Sequence, residues 1–419
     1  MSTAIPTRRA ALSALGVLTA INLLNYLDRY VVAAIVPDLK GAMHLTDTEL
    51  GGLMSAFMLV YMITAPAFGS WGDRGARTRP IALGVFVWSL ATALSGLAQS
   101  YAQLLAGRAL VGIGEAAYVA IAPALLADCF ASEGRGRVYA VLNMAIPVGA
   151  ALGYIVGGLV SAHWGWRAAF FVAGVPGMLL SAAVLRLPDP PRGAADGAGR
   201  RAGPAVAVAS PLAIYLGLLR RWPYVVVVLG YAAYTFGLGG LAFWMPAFLE
   251  RVRHVPPGAA TTGFGAIVLV TGFAGTFAGG WLGDHLLRSS RQAYLWLSGA
   301  LTLLAVPCAL LALLAPAPAL YYPGIVAAQL LLFMSTGPIN AAIVNIAGPL
   351  ERASAIALSM FAIHLLGDVP SPALIGRVSH LSSLGEATLI VPVAFAVAGV
   401  IWLAAARVNA RAAQPAAAA

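Results

Sequence analysis

Runs of about 20 predominantly apolar residues, long enough as helices to cross about 30 Å of hydrocarbon, recur along almost the whole of this chain. No soluble core of this size could absorb them. The composition agrees, with 60% hydrophobic and 10% charged residues and a mean hydropathy of +0.86, so the sequence predicts an all-α polytopic membrane protein. Twelve spans can be delimited: 11–37, 48–72, 79–98, 101–129, 137–161, 165–186, 223–249, 259–284, 292–315, 320–347, 353–378 and 386–407. The ninth and tenth are separated at "PAPALYYP", where proline spacing argues against one continuous helix. The first span lacks the order of a cleavable leader and is expected to be retained.

Orientation follows from the basic residues. With an even number of spans and the N-terminus inside, 18 arginines, from Arg8 and Arg9 to Arg407 and Arg411, fall on one side. Only Lys40, Arg167, Arg251, Arg253 and Arg377 fall on the other. The positive-inside rule then puts both termini in the cytoplasm. The net charge of +10 is scattered over short loops, where it meets lipid headgroups, so no nucleic-acid partner is expected. Cys129 and Cys308 lie in different spans and are read as free thiols. The dominance of arginine over lysine suggests a GC-rich bacterial genome, hence an inner membrane, with the protein as a monomer.

The one long hydrophilic interruption, 187–222, leaves six spans in a first half, 1–186, and six in a second, 223–419. Its Pro/Gly/Ala-rich beginning reads as mobile. Ser210 and Pro211 then suggest the start of a short helix lying on the cytoplasmic membrane surface. A repeat accompanies this division. "GSWGDRGART" begins at Gly69 and "GWLGDHLLR" at Gly280, each with an aspartate four residues on, Asp73 and Asp284. Duplicated halves around a midplane site are the architecture of alternating-access secondary transporters.

Six ionisable groups fall inside the spans: Asp28, Arg29, Arg108, Glu115, His364 and Asp368. A central charge costs about 2.5–3.5 kcal/mol on insertion scales, so each needs a partner or a wet cavity. Asn22, Asn25 and Arg29 follow i, i+3, i+7 spacing and give the first span a polar stripe, with Asp28 at its margin. Arg108 and Glu115 share a face of the fourth span about 10 Å apart along the axis. His364 and Asp368 form an i,i+4 pair. Each set has a structural reading beside the functional one: Asp28 with Arg29 as a neutral pair, Arg108 and Glu115 as a tie between spans one and four, His364 with Asp368 as an internal hydrogen bond. The functional reading makes all six a proton-coupling and conformational switch, with protons as the only coupling agent and no cofactor or metal. A guanidinium at Arg108 could alternatively clamp a phosphate or carboxylate headgroup.

The rest of a substrate cavity is expected from Asn22, Asn25, Tyr118, Tyr231, Thr235, Phe236, Trp244, Ser335, Asn340 and Asn345. Polar atoms beside aromatic surface suit a substrate with a charged head and an apolar tail. Walker, HExxH and GxSxG motifs are absent from the sequence, as is any His/Cys cluster with metal spacing, so an enzyme is not expected.

"GSWGDRGART" resembles the loop between the second and third helices of the major facilitator superfamily, with Ala76 where a later glycine is usual. "PVGAALGYIVGG" (Pro147–Gly158) resembles its glycine-rich fifth-helix motif, and "WGWRAAFF" follows. Within the superfamily, "INLLNYLDRY", "GRALVGIGEAAYVAIAPALLADCF" and "HLLGDVPSPALIG" are similar to the Spinster family of lysolipid and sphingolipid transporters. The resemblance implies alternating-access transport of a lysolipid-like or sphingosine-phosphate-like anion. It assigns Asp28, Arg108 and Glu115 to coupling and conformational exchange, and leaves open whether transport is proton-linked or facilitative. A proton-driven multidrug efflux pump is the alternative the same composition would serve. The two aspartate motifs read as cytoplasmic latches, built from Gly69, Asp73, Arg74, Arg77, Gly280 and Asp284, with Asp128 as a partner for Arg74 or Arg77.

Overall fold

The computed structural model describes residues 6–131, 135–196, 211–290, 292–347 and 351–413, and of these not the side chains of residues 73, 136, 196, 211–213, 353 and 409–413. Ser210, Arg200, Arg201 and Arg291 and the side chain of Asp73 therefore lie outside the description. The described chain is helical: α1 Arg8–Ala34, α2 Val36–Met43, α3 Asp47–Arg74, α4 Thr78–Ser95, α5 Tyr101–Cys129, α6 Arg135–Trp164, α7 Trp166–Val184, α8 Pro211–Leu219, α9 Trp222–Arg251, α10 Pro257–Leu287, α11 Ala293–Leu314, α12 Pro318–Ile346, α13 Arg352–Ile363, α14 Pro370–Leu381, α15 Leu384–Ala387 and α16 Ile390–Ala413. Twelve segments are long and apolar enough to cross a membrane, as the sequence reading expected.

Local chemistry sets the helix ends. The Thr7 hydroxyl accepts from the Ala10 amide. Thr46 and Glu49 form a reciprocal capping box at the start of α3, and Ser100 caps α5. Three departures from the expected spans trace to proline. The first span does not run to residue 37: α1 stops at Ala34, and α2 begins anew with Pro37 in its first turn, because proline there cannot donate to the preceding turn. Between the ninth and tenth spans the chain breaks at residues 315–317, but Pro323 of the same proline run lies inside α12. The eleventh span is not one α-helix. His364–Asp368 forms a π-helical turn, with the Val369 amide bonded to the His364 carbonyl five residues back at 3.0 Å. Pro370 follows and lacks the N–H that would continue the α-helical ladder.

The chain divides into two compact units, Met1–Val206 with Val255–Gly265, and Ala207–His254 with Ala266–Ala419. In the first, α1 packs on α6 and α7, α5 on α3 and α4, and α4 on α7. In the second, α9 packs on α16 and on the π-helical turn, and α11 on α12 and α16. Lipid offers no hydrophobic drive between helices, so close backbone approach must supply the contact. On α6, a Cβ at Gly149 would stand 2.5 Å from the Leu23 carbonyl oxygen, and one at Gly153 2.6 Å from that of Leu27. The fifth-helix glycines are therefore the surface on which α1 lies.

Candidate functional site

The charges of the first unit converge. Arg29 Nε donates to Glu115 Oε2 at 2.7 Å, joining α1 to α5. Arg108 Nη1 lies 3.7 Å from Asp28 Oδ2, whose other neighbour is the Thr92 hydroxyl of α4, donating at 2.9 Å. Asp28 and Arg29 therefore do not neutralise each other. Adjacent residues on a helix point about 100° apart, and each of these two finds its counter-charge on α5. All four side chains are buried: Asp28 is 1% exposed, Arg29 8%, Arg108 2% and Glu115 0%. Together they sum to zero, which is what a low-dielectric interior requires.

Hydrogen bonding in this cluster is incomplete. The three guanidinium nitrogens of Arg108 make no hydrogen bond among the described residues, and neither do Asp28 Oδ1, Glu115 Oε1 or either amide atom of Asn25. Buried polar atoms are nearly always hydrogen-bonded, so atoms left in this way need a physical reason. The two guanidiniums are instead faced by aromatic rings. Arg29 lies over Tyr26, Phe57 and Tyr61, its central carbon 5.0, 5.2 and 5.0 Å from the ring centres. Arg108 lies over Phe57 at 4.6 Å. Thr92, Tyr26, Phe57 and Tyr61 were not singled out in the sequence. Tyr26 could have been, since it stands three residues before Arg29 on the same helical face.

Several residues expected to line a cavity are occupied with packing instead. Asn22 donates to the Leu142 carbonyl at 2.9 Å, and Tyr118 to the Leu18 carbonyl at 2.7 Å with its ring edge-on to Trp88. The Trp244 indole donates to the Pro372 carbonyl at 3.1 Å. Thr235 bonds back to its own helix and to Ile363, and Ser335 bonds Thr302 across α11 and α12. These five are buried: a polar group inside an apolar helix bundle needs a protein partner, and each has found one. In this structure each of the five is engaged with the protein itself.

The second unit keeps a more accessible polar group. In the π-helical turn His364 Nδ1 and Asp368 Oδ2 are 2.8 Å apart, with side chains 22% and 17% exposed. Asn340 Nδ2 donates to the Tyr231 hydroxyl at 3.2 Å. Asn340 and Asn345 are exposed and Phe236 half-buried.

At the ends of α3 and α5 a second ionic knot centres on Arg77, which lies between two spans. Arg77, nearly buried, donates through its amide to Asp189 Oδ2 at 2.7 Å and through Nε to Asp189 Oδ1 at 2.8 Å. It also pairs with Asp128 and reaches the Pro190 carbonyl at 2.5 Å. Arg192 donates to the Gly72 and Gly75 carbonyls at 2.5 and 3.1 Å, and the Gly193 amide to Asp128 Oδ1 at 2.8 Å. Burial alone would weaken the charge of Arg77, but the two carboxylates outweigh it and hold its pKa above the ordinary value. These contacts tie the described chain just after α7 to the ends of α3 and α5. Of the two partners weighed for Asp128, Arg77 is the one found. Arg74 is exposed, and Gly69 lines a cavity of about 90 Å³ with Gly72, Arg77 and Asp128. A Cβ at Gly280 would meet nothing within 4 Å, and Asp284 accepts from the Tyr294 hydroxyl at 2.7 Å.

Twelve membrane-length helices in two compact units, with neutralised charges buried inside one of them, define a multi-pass membrane transporter of the secondary type. The family model for the Major Facilitator Superfamily matches residues 18–372. The human protein spinster homolog 1 is 35% identical over 401 residues, covering 89% of this chain and 74% of the relative. The mouse sphingosine-1-phosphate transporter SPNS2 is 35% identical over 425 residues, covering 94% and 76%. Among solved structures, a bacterial homologue of the human lysosomal transporter Spinster, inward-facing and unoccupied, superposes with a TM-score of 0.87 at 23% identity, over 96% of this chain and 98% of that one. The nucleoside transporter NupG follows the same fold with a TM-score of 0.76 at 12% identity, over 94% and 99%. The chain belongs to the major facilitator superfamily and, within it, to the Spinster family, whose members are transporters rather than enzymes.

Proposed function

We propose that this protein moves a lysophospholipid-like or sphingosine-phosphate-like anion across a bacterial inner membrane by alternating access, coupled to protons. Both termini lie in the cytoplasm and the working unit is the monomer. The observation that carries this reading is the guanidinium of Arg108, buried, 3.7 Å from Asp28 and without a hydrogen bond of its own. A permanent cation with unused donors suits an acidic headgroup that enters when the helices part. A carboxylate it only loosely neutralises suits a proton that comes and goes. The relatives named as sphingosine-1-phosphate transporters support the amphipathic anion as substrate. Asp28 and Glu115 are the proton carriers in this scheme, Arg29 and Arg108 their switching partners, and His364 with Asp368 a further switching pair in the second unit. Phe236, Asn340 and Asn345 offer surface to the substrate, with Tyr231 behind Asn340 as its hydrogen-bond partner.

Uptake of labelled lysolipids into liposomes of known orientation, with and without a pH gradient, tests the proposal. Accumulation only of acidic lysolipids, and only with the gradient, is the expected result. Uptake of neutral hydrophobic drugs in their place overturns the substrate class, and indifference to the gradient overturns the coupling.

A further inference from the structure

The ring of Phe57 is common to both arginines of the buried cluster: Arg29 lies over it at 5.2 Å and Arg108 at 4.6 Å. Their circumstances differ. Arg29 has two further rings, Tyr26 and Tyr61, and a 2.7 Å hydrogen bond to Glu115. Arg108 has Phe57, and a carboxylate at 3.7 Å to which it does not hydrogen-bond. A guanidinium and a carboxylate in a desolvated interior should close to hydrogen-bonding distance unless something holds them apart. The Phe57 ring, 4.6 Å from the central carbon of Arg108, attracts the cation without offering or taking a proton. The ring is itself fixed. Phe57 is fully buried, and at Gly112 of α5 a Cβ would stand 2.6 Å from the Phe57 carbonyl oxygen, so the α3 backbone rests directly on α5 at that point.

We propose that Phe57 is a positioning residue of the transport cycle: its ring holds Arg108 off Asp28, leaving Asp28 able to take a proton, and ties the two ion pairs to one surface so that they rearrange together. The functional half of this inference rests on the proton-coupled reading above. The groups that bear on Asp28 are Arg29 on its own helix, with Tyr26 beside Arg29, and Arg108 and Glu115 on α5. Tyr61 comes from α3 against Arg29, and α4 contributes the neutral hydroxyl of Thr92. On α5 Tyr118 is committed to the Leu18 carbonyl, on α6 Tyr154 packs against Tyr30, and on α7 Arg167 is bonded to the Ala98 carbonyl.

The test is the infrared carboxylic-acid band of Asp28, assigned by its loss in Asp28→Asn and followed against pH in the purified full-length protein. Phe57→Leu and Phe57→Met remove the ring at similar volume, two variants so that a folding failure of one leaves the other. Phe57→Tyr keeps the ring. Without the ring Arg108 closes on Asp28 and opposes protonation, so the midpoint should move to more acid pH by about half a unit or more, while Phe57→Tyr should titrate with the wild type. Ringless variants that titrate with the wild type, a Phe57→Tyr that moves as far as they do, or an Asp28 that takes no proton at all would each overturn the inference. Liposome uptake is measured in parallel. Wild-type transport indifferent to pH would end the proton-coupled reading, while the band would still decide whether Phe57 holds Arg108 away.

Discussion

Arg29 Nε lies 2.7 Å from Glu115 Oε2, although a carboxylate, Asp28, is its neighbour in sequence. Two crossed pairs result, Arg29 with Glu115 and Asp28 with Arg108, and both run between α1 and α5. Between α1 and α6, by contrast, Gly149 and Gly153 let the backbones touch. Beside the Tyr118–Leu18 hydrogen bond, the charges link α1 to α5, and a link of charges can exchange partners where interlocked backbones cannot.

Glu115→Gln leaves Arg29 buried without a counter-charge. Breaking one side of a buried pair typically destabilises by about 3 kcal/mol or more, so the melting temperature of the purified protein should fall. Adding Arg29→Met should recover most of the loss. A single variant as stable as the wild type would mean that this pair does not hold α1 to α5.

Asp28→Asn retains the shape and can still accept from Thr92, while removing the titration. The protein should fold, because an amide is cheaper to bury than an unpaired carboxylate, although Arg108 loses its counter-charge. Accumulation of lysolipid driven by a pH gradient should vanish, and exchange without a gradient should persist. Glu115→Gln is the necessary comparison, since the two carboxylates are close enough to titrate as a coupled pair. Undiminished accumulation by Asp28→Asn would make Asp28 a structural anchor.

Asp189→Ala should release the chain after α7. Two hydrogen bonds to Arg77 disappear, and Arg192, pinned to the carbonyls of Gly72 and Gly75, becomes easier to lift away. Tryptic cleavage after Arg192, followed by mass spectrometry, should quicken on the order of tenfold, the equivalent of about 1.4 kcal/mol in local opening. An unchanged cleavage rate at that bond would show that Asp189 does not secure the segment.

These relationships differ in how far the sequence discloses them. Membrane spans are legible because the bilayer imposes length and apolarity on each segment separately. The buried charges are legible for the same reason, each standing out against its own helix. Which charge meets which is a property of packing: nothing in "LDRY" says that Asp28 turns toward Arg108 and Arg29 toward Glu115. Asp189 and Arg192 were missed because a Pro/Gly/Ala-rich run reads as a linker, and only the position of Arg77 turns it into a strap. The π-helical turn had a signal in Pro370 and Pro372, but proline also lies inside many of the α-helices here, Pro66, Pro123 and Pro147 among them. The protein partners of Trp244 and Ser335 were not legible, because a polar atom in a span looks the same whether it awaits a ligand or meets a neighbouring carbonyl.

Arg108 provides the test of substrate chemistry, but its removal alone would mislead. Arg108→Ala takes away the nearest cation to Asp28 and leaves a buried carboxylate with one hydrogen bond, from Thr92. Loss of binding could then follow from loss of fold. The informative variant is Arg108→Ala with Asp28→Asn, which removes cation and anion together and keeps the cluster neutral. Its melting temperature should lie above that of Arg108→Ala. Affinity for an acidic lysophospholipid should then fall at least about tenfold relative to Asp28→Asn alone, since a charge-assisted contact of 1.4 kcal/mol or more has gone, while a neutral monoacylglycerol of the same chain length should bind both variants alike. Equal losses for the two lipids would assign Arg108 to holding α5 in place and remove it from the headgroup site.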